Sequence, residues 1–259
     1  MTATDAFSTD GSRDGATSLE QNGHRYAEIP FAGPRASFRA LWRSTTSASR
    51  LQVPKRILPD LSADFIADST GRSWLVGPAT TADLVSFDPG TTVWGLRISP
   101  PALRALLGTD ADAVQDRKVA FDDVLTSRQS RILADALREG FVDDTLLRAL
   151  WPHPRHDDTT ERGFAALTGS PNSPVRTISA DLGVSERQFR RTISVTIGLS
   201  PKMIQKVQRM QNVLSSSRAH SSPLAELATA AGYADQSHLA RDVRALAGIT
   251  TTQLLREHR

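Results

Sequence analysis

Apolar residues in the last hundred positions recur every three or four residues, the period of helices with one buried face. Val175, Ile178 and Leu182 mark a short helix broken at Gly183, and Phe189 and Ile193 mark a second that follows Ser185. Ser185 is placed to accept the unpaired N–H groups of that first turn, and Glu186 suits the positive end of the helix dipole. Met203, Ile204, Val207, Met210, Val213 and Leu214 predict a connecting helix from Lys202 to Leu214, of about 13 residues and roughly 20 Å. A serine-rich loop is expected from Ser215 to Ser222. Pro223 then opens a helix with Leu224, Leu227 and Ala228 inward and Gly232 at its end, and Asp235 caps a last helix running from Gln236 toward Leu246.

The first 151 residues have a different texture. From Tyr26 to Ile98 short apolar or alternating runs are separated by Pro and Gly: Phe38 to Trp42, Asp64 to Ala67, Ser73 to Val76, Asp83 to Phe87 and Thr92 to Ile98. This spacing predicts a small β-rich barrel or sandwich. Pro101 to Leu107 reads as a helix stopped by Gly108, with further helices at Ser127 to Glu139 and Asp144 to Trp151. Their apolar stripes (Ile132, Leu133, Ala136 and Leu137; Leu146, Leu147, Leu150 and Trp151) suit either a dimer surface or packing back onto the β domain. Residues 1–24 are polar and predict a disordered tail, and the Pro/His/Asp-rich residues 152–160 predict a linker. The expected fold is therefore α+β and multidomain, with a β-rich domain at 25–151 followed by an all-α domain at 161–259 that holds two helix-turn-helix motifs.

The helical region repeats itself. Phe189, Arg191, Ile193, Gly198 and Ser200 are answered fifty residues later by Leu239, Arg241, Val243, Gly248 and Thr250. Self-similarity at a fixed offset points to one structural unit used twice. Gly198-Leu199-Ser200-Pro201, the connecting helix, and Ala231 to Leu239 (AGYADQSHL) resemble the DNA-binding domain of AraC/XylS-type transcription regulators over about 85 residues. The resemblance implies a two-lobed helical domain in which the second helix of each copy enters the major groove. The chain departs from the family pattern at Leu239 and Val243, where phenylalanine is usual, and at Thr251, where proline is usual. These departures lighten the core of the second copy.

Charge follows the same division. Residues 161–259 carry 13 Lys and Arg against 7 Asp and Glu, whereas residues 1–160 carry 18 against 21. A polyanionic partner is expected for the C-terminal part alone. On a helix starting near Ser185, Arg187, Arg190 and Arg191 point away from Phe189 and Ile193. An arginine fork can grip guanine O6 and N7 together, and glutamine can pair with adenine in the same groove. Matching positions to the family gives Arg187, Arg190, Arg191, Gln236, Ser237 and Arg241 as the DNA-binding set, the alternative being that some of them hold phosphates only. His238 reads as a structural or phosphate-contacting residue.

The β-rich half offers less chemistry. Lys55 to Asp60 with Asp64, Val76-Gly77-Pro78, and Gly95 to Pro100 resemble an uncharacterised N-terminal domain common in such regulators, which implies a regulatory role. Arg56, Asp60, Asp64 and Arg97 form a candidate effector or structural network of charge-assisted hydrogen bonds. Trp42, Phe65, Trp74 and Trp94 are core or pocket residues. No histidine lies between Tyr26 and Leu150, and the chain has no cysteine, which argues against a metal site, a thiol switch or a nucleophile–histidine pair. Asp60, Asp64 and Asp68 are the carboxylates that keep an enzymatic reading open. The expectation is a non-enzymatic cytoplasmic regulator without cofactor or membrane association. Double-stranded DNA is its partner, and RNA polymerase, a small-molecule effector and a second copy are further candidates. The alternative is a small-molecule sensor that acts through protein contacts.

Overall fold

The computed structural model describes residues 17–21, 24–31, 37–47, 54–152, 157–219 and 222–258. Among the described residues nine strands lie before Phe121: β1 (Thr17–Gln21), β2 (His24–Pro30), β3 (Phe38–Thr46), β4 (Lys55–Ile57), β5 (Ala63–Asp68), β6 (Ser73–Val76), β7 (Asp83–Val85), β8 (Thr92–Ile98) and β9 (Lys118–Ala120). Seven of them form one antiparallel sheet in the order β1-β2-β3-β8-β5-β6-β9, while β4 and β7 pair separately as a ribbon. The β-rich half is as expected, but its sheet is open rather than closed into a barrel or doubled into a sandwich. Of the expected polar tail, Thr17–Gln21 pair with β2 as an edge strand, and residues 1–16 and 22–23 lie outside the described set.

Side chains alternate between the two faces of a strand, and that alternation divides the sheet. Leu41, Phe65, Leu75, Leu96 and Ile98 face a core closed by α1 (Leu103–Leu107), α2 (Phe121–Val124), α3 (Ser127–Glu139) and α4 (Asp144–Leu150). Leu133, Leu137, Leu147, Leu150 and Trp151 are buried in it, with Ile132 and Leu146 packed alongside. The stripes of α3 and α4 thus pack back onto the sheet. Trp151 stacks on Phe65 with centroids 5.6 Å apart and donates its indole N–H to Leu106 O. The opposite face carries Tyr26, Glu28, Trp42, Asp64 and Arg97.

The remaining helices are α5 (Asp158–Gly169), α6 (Val175–Asp181), α7 (Glu186–Ile197), α8 (Pro201–Ala219), α9 (Leu224–Ala230), α10 (Gln236–Ala247) and α11 (Thr251–Glu257). Ser185 and Asp235 cap α7 and α10 by accepting the N–H groups of Gln188 and His238. The connecting helix α8 runs on to Ala219, through Ser215, Ser216 and Ser217 of the stretch expected as a loop. Ser215 and Ser217 turn their hydroxyls back onto the carbonyls of Gln211 and Leu214, so the polar side chains are satisfied within the helix. Leu239 and Val243 are fully buried despite their smaller size. A capping box between Thr250 and Gln253 starts α11 where the family pattern has proline.

On the polar face of the sheet, the Trp42 indole lies over Gly95 and donates to Asp64 at 2.7 Å. A Cβ at position 95 would sit 2.1 Å from the ring. Gly95→Ala is therefore expected to displace the indole and destabilise the sheet by about 1–3 kcal/mol. All four tryptophans lie in the first 151 residues, so tryptophan-detected urea unfolding reads this change directly.

Candidate nucleic-acid interface

The two repeated units are α6–α7 and α9–α10, joined by α8. In each, the buried side chains of the second helix (Phe189 and Ile193; Leu239 and Val243) fix which face turns outward. Arg187 and Arg191 are exposed on α7, and Gln236, Ser237 and Arg241 are exposed on α10. Arg241 also directs its Nε toward Ser237 O at 3.3 Å. Arg190 differs. It is half-buried and bonded to Glu186 one turn back, at 2.8 Å from Nε and 2.5 Å from Nη2. Its side chain lines a cleft of about 470 Å³ between the two units, together with Arg176, Lys202, Arg209 and His238. The structure thus brings Arg187 and Arg191 together on one outward face and turns Arg190 toward the cleft.

A cluster absent from the sequence reading holds the second unit in place. Asp242 on α10, 13% exposed, accepts from Arg209 at 3.1 Å and lies 3.4 Å from Lys206, both on α8. Arg209 also bonds to Pro171 O and stands over the Tyr233 ring. His238 meets Tyr233 edge-on and lies 3.8 Å from Asp242, which gives it a structural setting. Burial raises the Tyr233 hydroxyl above its usual range, and the Asp242 carboxylate adds to that shift. Gly232, at φ 89°, leaves no space for a Cβ because the Asn172 side chain from the first unit lies against it. Charges on a helix surface read as solvated in a sequence, so only the paired spacing of Lys206 and Arg209 on one face hinted at this cluster.

The N-terminal network assembles in part. Arg97 on β8 reaches Glu28 at 3.2 Å, Asp60 at 3.4 Å and Asp64 at 3.4 Å, each through a different nitrogen. Glu28 also accepts from Tyr26. Burial alone would lower the Arg97 pKa, but Asp64 and Asp60 outweigh it and hold the guanidinium charged. Burial pushes Asp64 above the ordinary carboxylate range. Asp68 lies apart in the β5–β6 turn. Burial would raise it, yet hydrogen bonds from Thr70 and Arg72 hold it low. Arg56 is not in the network. It bonds instead to Ala247 O at 2.9 Å and Glu257 at 3.1 Å in the helical region. Among the described residues no group of three or more His, Cys, Asp or Glu could hold a metal ion, and no helix is long and apolar enough to cross a membrane.

Arg97 is paired with all three carboxylates of this network, so Arg97→Met is expected to cost about 3–5 kcal/mol, as loss of one partner from a buried ion pair does. The sign with pH follows from Asp64. Burial raises its folded pKa and Arg97 opposes that rise, so without Arg97 the folded pKa climbs further and the variant loses more stability than wild type as rising pH forces Asp64 to ionise. The gap in urea-unfolding stability between wild type and Arg97→Met should therefore be wider at pH 8 than at pH 5.

Residues 178–257, from within α6 to the end of α11, match a family model described as a helix-turn-helix domain. No curated protein matches the chain. Similar solved structures include the C-terminal domain of AraT, a response regulator from Geobacillus stearothermophilus, at 18% identity and TM-score 0.37 over 39% of this chain and 85% of that one. A probable AraC family transcriptional regulator from Rhodopseudomonas palustris is similar at 20% identity and TM-score 0.35 over 40% and 99%. ToxT from Vibrio cholerae is similar at 12% identity and TM-score 0.42 over 92% and 98%. TM-scores this low carry no weight of their own. With its duplicated motif, its capped second helices and the family match, the region from Ile178 to Glu257 is a helix-turn-helix domain.

Proposed function

We propose that this chain reads DNA sequence with both repeated units at once. α7 and α10 lie in successive major grooves, and half-sites stand about one helical turn apart. One observation carries the reading: Arg187, Arg191, Gln236, Ser237 and Arg241 stand exposed on the outward faces of α7 and α10, opposite a fully buried apolar set. Arg187, Arg191 and Arg241 supply forks suited to guanine, and Gln236 an amide suited to adenine. Arg176, Lys202 and Arg190 surround the cleft between the units and would face the phosphodiester backbone that runs between the two grooves. Arg190 would exchange Glu186 for phosphate at little cost, since an i,i+4 surface pair is worth about 0.3–0.5 kcal/mol. The β-rich half is the regulatory part. An effector acting there must bind two states of the protein with different affinity.

Selection of duplexes from a random-sequence pool by the purified full chain tests this reading. A two-part motif should be enriched, and log affinity should fall steeply with log salt as bound counterions are released. Arg191→Ala and Arg241→Ala should each lose discrimination at particular base pairs, by about 1–3 kcal/mol per contact. Lys202→Ala should weaken all sequences alike and reduce the salt slope by roughly one. Absence of any enriched motif would overturn the reading, and uniform weakening by the arginine variants would reassign those residues to phosphate.

A further inference from the structure

The two recognition helices end at equivalent glycines, Gly198 and Gly248, and the N-terminal half takes hold of the chain at both places. At the end of α7, Gly198 packs so closely on Ala111 and Pro78 that a Cβ would lie 2.8 Å from Ala111 O. At the end of α10, the carbonyls of Leu246 and Ala247 accept the Ala82 N–H at 2.6 Å and Arg56 Nη1 at 2.9 Å. These last-turn carbonyls have no partner inside their own helix and form the negative end of its dipole. A guanidinium there is favoured twice over, and Arg56 also pairs with Glu257 on α11.

A single stretch, Pro78 to Ala82, reaches from one helix end to the other, and it is firmly seated in its own domain. Thr80 donates to Asp116 through its backbone N–H at 2.6 Å and its hydroxyl at 2.7 Å. Asp116 N donates to Pro78 O, Gly77 N to Arg117 O, and Lys118 pairs with Asp83. Gly77 leaves no room for a Cβ against Val114 O. The stretch is therefore a rigid spacer, and the same domain also touches the helix between the units, where Gln211 donates to Pro59 O at 2.6 Å.

We propose, building on the DNA reading above, that this brace selects the spacing of the two half-sites, with Arg56 as its specificity-determining positioning residue. Besides its seat in the shared apolar core, α10 has polar anchors at two places, Asp242 near its middle and Arg56 with Ala82 at its C-terminal end. Without Arg56 the C-terminal anchor is reduced to the Ala82 bond, and the helix is freer to tilt about Asp242. Six residues separate Asp242 from Gln236, a lever of roughly 9 Å, so a tilt of about 20° moves Gln236 by about 3 Å. That is close to one base-pair step of about 3.4 Å. Arg56 touches neither base nor phosphate in this arrangement, because it sits at the far end of the helix from the reading residues.

The test is duplex selection from a random pool by the full chain, comparing wild type, Arg56→Met and the milder Glu257→Gln, which removes the ion pair but leaves the Ala247 contact. The quantity read is the number of base pairs between the two enriched half-motifs. Wild type should recover one dominant spacing, and one inserted base pair should weaken its binding by roughly tenfold or more, a common size for coupling between sites. Arg56→Met should recover unchanged half-motifs spread over adjacent spacings, with most of that penalty lost, and Glu257→Gln should fall between. If folded Arg56→Met keeps the single spacing and the full penalty, the inference is overturned, and it is equally overturned if Arg56→Met binds more tightly at the same spacing. Should Arg56→Met not fold, Glu257→Gln decides by the same two readouts. If wild type enriches no two-part motif, the function proposed above fails and this inference fails with it.

Discussion

The two helix-turn-helix units share one hydrophobic core, and nearly everything else in the C-terminal region depends on that sharing. Phe189, Ile193 and Ile197 from one unit and Leu239, Val243 and Leu246 from the other belong to a single buried cluster, bridged by Ile204, Val207, Met210 and Val213 along α8. Full burial of one such side chain is worth about 1.5–3 kcal/mol, so prising the units apart would expose far more than a small domain can spare. α8 is consequently a shared wall of both units rather than a tether. Its length follows from this role: Leu214, the last residue of the expected connecting helix, is buried, and beyond it Ser215 and Ser217 satisfy their hydroxyls on the helix itself.

Helices with one buried face were legible because their period and caps are local. Ser185 and Asp235 cap α7 and α10 where the pattern puts them, and Gly108 ends α1 as expected. The five longest apolar runs of the N-terminal half became strands for the same reason. β4 and β9 did not stand out because their three residues, unlike those of β7, do not belong to a longer apolar run. The closure of the sheet was not legible because it depends on which edges find partners. Nor was the destination of Arg56. Asp60 and Asp64 lie close to it in the chain and appeared to be its partners, but β4 belongs to the separate ribbon, and the acceptors of Arg56 lie 191 and 201 residues away. Glu28 was missed from the Arg97 network for the converse reason, since register across β2, β3 and β8 brings it there and nothing local announces it.

The two halves treat their arginines in opposite ways. In the sheet, Arg97 is enclosed and answered by more carboxylates than it can neutralise, so its neighbours hold it charged and in place. On α7 and α10, Arg187, Arg191 and Arg241 stand in solvent, where a guanidinium can be transferred to a phosphate or a base without first breaking a buried pair. The modest charge of the whole chain hides this division, and only the count by segments brings it out.

Residues 59–61 form one of the junctions between these halves. Asp60 is a member of the Arg97 network, Pro59 accepts from Gln211 on α8, and Leu61 is buried in the helical core beside Phe164 and Leu167. Leu61 sits at φ 69°, a left-handed conformation that costs a non-glycine residue about 1–3 kcal/mol and persists only where surroundings over-determine it. Here they do, because Asp60 and Pro59 are held on one side and the apolar core holds the side chain on the other. The restraints therefore meet on one short segment: the Arg97 ion pair on Asp60, the Gln211 bond on Pro59 and the apolar core on Leu61. Three consecutive residues thus join the Arg97 network to the core that α7, α8 and α10 share.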